Sequence, residues 1–343
     1  MNRFEEKVLG VLGSVAYGDA LGSATENLPF DQIRGWFKGP IKNFQIPGDT
    51  AFALGNKAGQ VTDDFSQVYF ILEEVLKSKT KLTEEVLIKA MIEWSNHHEY
   101  FDRFAGPTTR GAIAMYKDPH KEMKALPGAV VVDYASKATN GAAMKIAPAA
   151  ILNPCNIEST IQDAILMAKV THDNSLAMSG ACATAVACTT GFLENTSIQQ
   201  SLYAGLYGAI RGEEIAKEKY RWVAGASVVE RIKLAFQIAL EYKNNKEEGL
   251  KKLYDVIGSG LHISEAVPCA FGIVAMNESN PMQAIVDAAN IGYDTDTIAA
   301  ITGTIVGPHI DINDDEFKSH LSQIETVNNM DLRRLAQQIT KLR

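Results

Sequence analysis

Two short acidic clusters carry the strongest chemical signal in this chain. Thr62-Asp63-Asp64 follows Gly59-Gln60-Val61 and precedes an amphipathic stretch. Asp294-Thr295-Asp296-Thr297 lies between Asn290-Ile291-Gly292 and a run of small residues that begins near Ile298. Each places two carboxylates and a threonine hydroxyl at the start of a helix. Capping explains part of this, because Asp and Thr oxygens satisfy free backbone N–H groups and suit the helix dipole. One side-chain oxygen suffices for a cap, so the second carboxylate at each start is in excess. If the two starts converge, four carboxylates repel one another unless cations lie among them. The available ligands are all oxygens. That selects a hard cation, Mg2+ first and Mn2+ or Ca2+ after it, over zinc. Spacing alone leaves the convergence open.

The elements that must hold these clusters are helical. Phe4, Val8, Val11, Leu12 and Val15 form an apolar stripe that runs into Gly18-Asp19-Ala20-Leu21-Gly22. Phe65, Val68, Tyr69, Leu72, Val75 and Leu76 form another, opened by Asp63 and Asp64. Val86, Leu87, Ala90, Met91 and Trp94 follow a cap signal at Thr83. Periodicity predicts further helices near 141–152, 158–170, 174–192, 198–211, 224–243, 264–276, 281–290, 296–306 and 330–342, with short Gly-, Pro-, Asn- and Asp-rich turns between them. Segments 141–152, 174–190 and 298–307 are apolar on most faces, which belongs at the centre of a bundle. Ala129-Val130-Val131-Val132 is the one β-branched run, and it is too short to build a sheet. The expected fold class is all-α, a compact multi-helix bundle. No linker-like break, repeat or low-complexity tract divides the chain, so one domain over 1–343 is expected.

At 343 residues, with 46% hydrophobic and 22% charged side chains, the composition is that of an ordinary folded soluble protein. Acids exceed bases 41 to 33, for a net charge of −8. That excludes a general binder of nucleic acid or anionic membrane, which needs clustered Lys and Arg. No window approaches the roughly 18 uncharged apolar residues of a membrane span. The start, MNRFEEKVLG, has neither the basic n-region nor the cleavage site of a secretory signal. Cys155, Cys182, Cys188 and Cys269 contain no CxxC pair, so neither a disulfide framework nor a zinc site is expected, and a cytoplasmic setting fits best.

Three further features have plain explanations or stay open. Asp311 to Glu316 looks like the opening of a calcium loop. Glu316 occupies the place of the sharp-turn glycine and Ser322 that of the final glutamate, so it reads as a polar surface turn. His97-His98, beside Glu99 and Asp102, reads as a solvated helix end, because adjacent helical side chains point apart. Phe101, Phe104, Gly106, Pro107 and Arg110 form an aromatic and basic patch. It is either core plus a surface arginine or a wall facing a bound ring.

Five patterns in chain order resemble the ADP-ribosylglycohydrolase family. They are Gly18-Asp19-Ala20-Leu21-Gly22 followed by Glu26; Thr62-Asp63-Asp64; Asn140-Gly141-Ala142-Ala143-Met144-Lys145-Ile146-Ala147-Pro148; Thr171-His172 before an Ala-rich helix; and Asp294-Thr295-Asp296-Thr297 followed by Ile298-Ala299-Ala300. They span residues 18 to 300. The resemblance implies an all-α fold around a central site for two Mg2+ ions, with Mn2+ as the substitute, and hydrolysis of an ADP-ribosyl N- or O-glycosidic bond. It implies a small-molecule or protein-linked ADP-ribosyl substrate.

Carried over, Thr62, Asp63 and Asp64 supply ligands from one side and Asp294, Asp296 and Thr297 from the other. Glu26 corresponds to the family's mobile glutamate near the metals. The Asn140-Gly141-Ala142 turn and His172 line the ADP-ribose cleft, and Asp19 positions a loop. Breaking the bond builds positive charge on the anomeric carbon, while the cations hold the ribose hydroxyls and acidify water. A neighbouring carboxylate, Asp64 or Asp296, takes the proton.

The chain departs from the pattern at three positions. Phe65 follows Thr62-Asp63-Asp64 where the family commonly has threonine. Tyr293 replaces a glycine before Asp294, which predicts a narrowed cleft or a ring stacked on substrate. Thr139 replaces the first glycine of a Gly-Asn-Gly turn that would approach a phosphate closely. Tyr293 and Thr139 keep a second reading open, an N-ribosyl hydrolase for nucleoside-like compounds. A third is a non-catalytic ADP-ribose or nucleotide binder on the same scaffold.

Overall fold

The computed structural model describes residues 1–121 and 131–342, and among them it holds seventeen α-helices and no strand. The first six are α1 (Arg3–Gly22), α2 (Phe30–Trp36), α3 (Asp63–Ser78), α4 (Glu84–Trp94), α5 (His98–Phe104) and α6 (Pro107–Lys117). After a 3₁₀ turn at Asn140–Ala142 come α7 (Ala147–Leu152), α8 (Ile157–Thr171), α9 (Ser175–Gly191), α10 (Ile198–Lys219), α11 (Val228–Glu241) and α12 (Lys246–Lys252). The last five are α13 (Ile263–Ala275), α14 (Pro281–Ala288), α15 (Thr295–Val306), α16 (Asp315–Asn328) and α17 (Leu332–Lys341). None of the described helices is long and apolar enough to cross a membrane.

Helices α9 and α15 form the centre, and every residue of both is buried. Their Ala, Gly, Ser and Thr side chains let neighbours approach closely, which is the physical content of their apolar-all-round pattern. α10 lies along α9, and α1 lies along α15. The second seam depends on missing side chains. A Cβ on Gly18 would sit 2.3 Å from the Ala299 carbonyl oxygen, and one on Gly303 2.3 Å from that of Ser14. Buried hydroxyls then fasten the end of α1 to the start of α15. Thr295 Oγ1 donates to the Gly22 carbonyl at 2.8 Å, and Thr25 Oγ1 donates to that of Ala289 at 2.5 Å.

The third helix of the site is fastened to the same end of α1. Both backbone N–H groups of Thr62 and Phe65 donate to Asp19, at 3.0 Å each, and the Thr62 hydroxyl donates to Asp19 Oδ1 at 2.8 Å. Asp19 thus caps α3 from α1. Trp94 Nε1 donates to Ser66 Oγ at 2.9 Å and holds α4 on the far side of α3.

Several boundaries differ from the periodicity. Segment 141–152 is a 3₁₀ turn followed by α7, because Pro148 is tolerated only in a first helical turn. α10 continues to Lys219, since its last turns carry outward charge, as in the Lys217–Glu213 pair at 2.6 Å. The acidic turn at Asp311 to Glu316 ends in a helix start. Asp314 Oδ1 accepts the Glu316 and Phe317 N–H groups at 2.9 and 3.0 Å and opens α16, whose buried face is Phe317, Leu321 and Ile324. His97 and His98 stand at the start of α5, His97 half-buried and His98 exposed, paired with Glu99 and Asp102. Of the β-branched run, Ala129 and Val130 lie outside the described residues, and Val131 and Val132 are in no strand.

Candidate active site

The two acidic helix starts face each other. One oxygen each from Asp19, Asp64 and Asp296 lie within 4.8 Å of one another, and so do oxygens of Glu26, Asp294 and Asp296. Asp296 belongs to both groups and joins them. Capping uses Asp19, and Asp296 Oδ1 accepts the Thr297 N–H, but Asp64 and Asp294 are not needed as caps. At α3 the N-cap oxygen is that of Thr62, and Asp294 makes no side-chain cap bond at α15. Asp64 Oδ1 and Glu26 Oε2 are buried without a hydrogen-bond partner. Glu26 reaches the cluster from the turn after α1. That turn is clamped to the residue before Asp294: the Asn27 N–H donates to the Tyr293 carbonyl at 2.8 Å, and the Tyr293 N–H donates to that of Leu28 at 2.9 Å.

A cavity of about 310 Å³ opens over the cluster. Glu26, Asp63, Asp64, Asp294, Asp296 and Thr297 form its floor, with Asn140, Gly141 and His172 on one side. Asn140 Nδ2 donates to Asp294 Oδ2, so the 3₁₀ turn is tied directly to the acidic floor. Three expected residues stand outside the wall. Ala142 is fully buried behind the turn. Thr62 is also buried, its proton on Asp19 and its oxygen 3.2 Å from Asp64 Oδ2. The Tyr293 ring is not among the side chains that line the cavity. Its backbone takes φ 64°, a left-handed conformation that suits the glycine of the family pattern. The ring lies over Gly260 and is 46% exposed.

Sequence reasoning left the opposite wall open. Arg103, Phe104 and the start of α6, from Gly106 to Thr109, line the cavity. Arg110 does not. It braces the turn by donating to the Ala105 and Phe101 carbonyls, each at 2.6 Å. Arg103 also donates to Asn56 Oδ1 at 2.6 Å and to the Leu54 carbonyl at 2.8 Å, joining this wall to the loop that carries Phe52 at the mouth. Lys145 was likewise unassigned. A lysine inside Ala142-Ala143-Met144-Lys145-Ile146-Ala147 was the available signal that a cation is buried there.

A family model described as ADP-ribosylglycohydrolase matches residues 1–342. The chain belongs to the ADP-ribosylglycohydrolase family. Members of this family are hydrolases acting on glycosyl bonds, and this chain is an enzyme of that kind. It is 29% identical to the uncharacterized protein YegU of Escherichia coli (strain K12), over 98% of this chain and 97% of that protein. It is 27% identical to the ADP-ribosylarginine hydrolase Tri1 of Serratia proteamaculans (strain 568), over 88% of this chain and 71% of that protein. A solved chain described as an ADP-ribosylglycohydrolase-related protein complex superposes with a TM-score of 0.65 at 17% identity, covering 100% of this chain and 99% of its own, a likeness of fold.

The donor set of this ADP-ribosylglycohydrolase fits hard divalent cations. Every candidate ligand is an oxygen, and two of the carboxylate oxygens have no partner in the protein. Charge says the same. Burial, then the negative charge of Asp296, pushes the Asp63, Asp64 and Asp294 carboxyls well above the ordinary range. The same two causes raise Asp19 to about 7 and Glu26 to about 11. Lys145 is a buried cation near them. Burial lowers it to about 7 against the pull of Asp63 and Asp64.

The pH dependence of the metal-free protein follows. A carboxyl whose folded pKa is raised favours folding below the unfolded value, about 4, and that contribution is lost as pH rises through the folded value. Asp19 therefore lowers stability as pH rises from about 4 to about 7, and Glu26 goes on lowering it above neutrality. His172 and His309 are lowered, so their loss of stability falls on the acid side of their ordinary 6.5. In chelator, the melting temperature should fall as pH is raised from 6.5 to 8.5. Mg2+ at about 100 times its Kd should add about 2.7 kcal/mol, with the larger rise in melting temperature at the higher pH. A melting curve indifferent to Mg2+ at pH 8.5 would remove the metal assignment.

Proposed function

We propose that this chain, acting as one domain over residues 1–343, hydrolyses an ADP-ribosyl N- or O-glycosidic bond with two Mg2+ ions, Mn2+ being the alternative. The observation that carries the reading is the meeting of the two acidic helix starts under one cavity, with unpartnered oxygens on Asp64 and Glu26. Thr62, Asp63, Asp64, Asp294, Asp296 and Thr297 would hold the ions. When bound, the ions supply positive charge that grips the ribose hydroxyls and acidifies nearby water.

The chain's own groups do the rest. Asn140, Gly141 and His172 bind and orient the sugar side of the substrate from the 3₁₀ turn and its backing. A water oxygen bonds to the anomeric carbon as the bond to the acceptor nitrogen or oxygen breaks. Asp64 or Asp296 takes the proton of that water, and the departing atom receives one in turn. Glu26 closes the floor beside Asp294 and Asp296. The names of the Tri1 relatives support an ADP-ribosyl substrate. The absence of a CxxC pair supports a cytoplasmic location.

Parallel assays with ADP-ribosyl-arginine, ADP-ribosyl-serine and free nucleosides test the reading. Release of ADP-ribose from either of the first two, dependent on Mg2+, is the expected result. Turnover of nucleosides alone would replace it with an N-ribosyl hydrolase.

A further inference from the structure

Beneath the 3₁₀ turn runs a chain of four buried or half-buried polar side chains. Lys145 Nζ donates to the Gly141 carbonyl at 2.6 Å and to Thr171 Oγ1 at 2.9 Å. Whether ammonium or amine, Nζ has a proton for each of these two acceptors, so the Thr171 hydroxyl accepts there and still has its own proton to give. Its one other partner among the described residues is His172 Nδ1, at 2.7 Å. Nδ1 is therefore the acceptor, and a neutral imidazole in this place carries its proton on Nε2. Burial, then the Lys145 and Lys137 charges, holds His172 well below its ordinary value, which keeps the ring neutral. Nε2 lies 2.8 Å from Thr139 Oγ1 and donates to it. The Thr139 proton is then left with no partner among the described residues, and both Thr139 and His172 line the cavity.

We infer that the Thr139 hydroxyl donates a hydrogen bond to an oxygen of the bound ADP-ribosyl group, its proton turned into the cavity by the one-way relay Lys145 to Thr171 to His172 to Thr139. The ligand named here rests on the function proposed above, whereas the relay rests on hydrogen-bond directions alone. Thr139 stands where the family pattern has a glycine, which has no such donor. The floor of the cavity is a set of carboxylate acceptors, so a neutral donor on its side wall selects oxygen-rich groups. Thr139 is thus a specificity residue of this chain, and Lys145, Thr171 and His172 position it.

Nitrogen-15 spectra of the histidine-labelled protein read the relay directly, the His172 signal being assigned by its loss in His172→Gln. Wild type should carry the His172 proton on Nε2, and Thr171→Val should lose that fixed preference. A wild-type proton on Nδ1 overturns the relay. Calorimetric titration with ADP-ribose in Mg2+ reads the donor. Thr139→Val, of nearly equal volume, should bind ADP-ribose about tenfold more weakly, while Thr139→Ser keeps the hydroxyl and should stay within about twofold. Equal affinity in wild type and Thr139→Val overturns the donor assignment. A wild type that takes up no ADP-ribose overturns the function proposed above and the ligand named here, and the nitrogen spectrum still decides the relay.

Discussion

Asp296→Ala is expected to lower turnover on the order of a thousandfold or more, the scale seen when preorganised charge at a reacting centre is removed. Asp296 is the carboxylate common to both three-oxygen groups, so its loss disables both. Asp64→Ala should do the same, because Asp64 presents a buried oxygen with no other partner. Neither change should harm the fold. Both side chains are buried among like charges, and removing one relieves repulsion in the metal-free state. The signature is therefore a combination: turnover and Mg2+ binding lost, with the chelated melting temperature unchanged or raised. Steady-state kinetics, Mg2+ calorimetry and melting curves on the two single variants and the double variant give all three readings. Full activity in the double variant would sink the mechanism.

Gly22→Ala should damage the same site without touching a ligand. A Cβ at Gly22 would lie 2.4 Å from the Thr295 carbonyl oxygen and 2.5 Å from the Cα and N of Asp296. These are backbone atoms, which cannot swing aside as a flexible side chain does. The start of α15 must move off α1, at about 1–3 kcal/mol of overpacking. Asp294 and Asp296 ride on that helix start, whereas Asp63 and Asp64 stay with α3, fastened to α1 through Asp19. A shift of about 1 Å between the two halves should cost about a hundredfold in turnover. Gly111→Ala is the control. It lies in α6 with no atom within 4 Å of an added Cβ, so it should be neutral or stabilising by up to about 1 kcal/mol. Equal turnover in the two variants would show that the α1–α15 seam does not set the site.

Most of the architecture was legible in the order of residues. Apolar spacing marked α1, α3 and α4, and the all-round burial of α9 and α15 was written in their small side chains. Short helices such as α2, α5 and α12 were not, since two turns hold too few residues to show a 3.6-residue repeat. Both acidic clusters, the Asn140 turn and His172 were also visible, because their chemistry lies in local runs. Their meeting was not. It depends on α1 crossing α15 closely enough for Gly18 and Gly22 to touch backbone, a relation between opposite ends of the chain. The direction of the Tyr293 ring and the partners of Lys145 depend on neighbours distant in sequence in the same way. Residue order thus determined which groups are present and which helices carry them. Tertiary packing alone decided which carboxylates share one floor and which hydroxyl faces the cavity, because those are fixed by contacts between helices rather than by the period within any one of them.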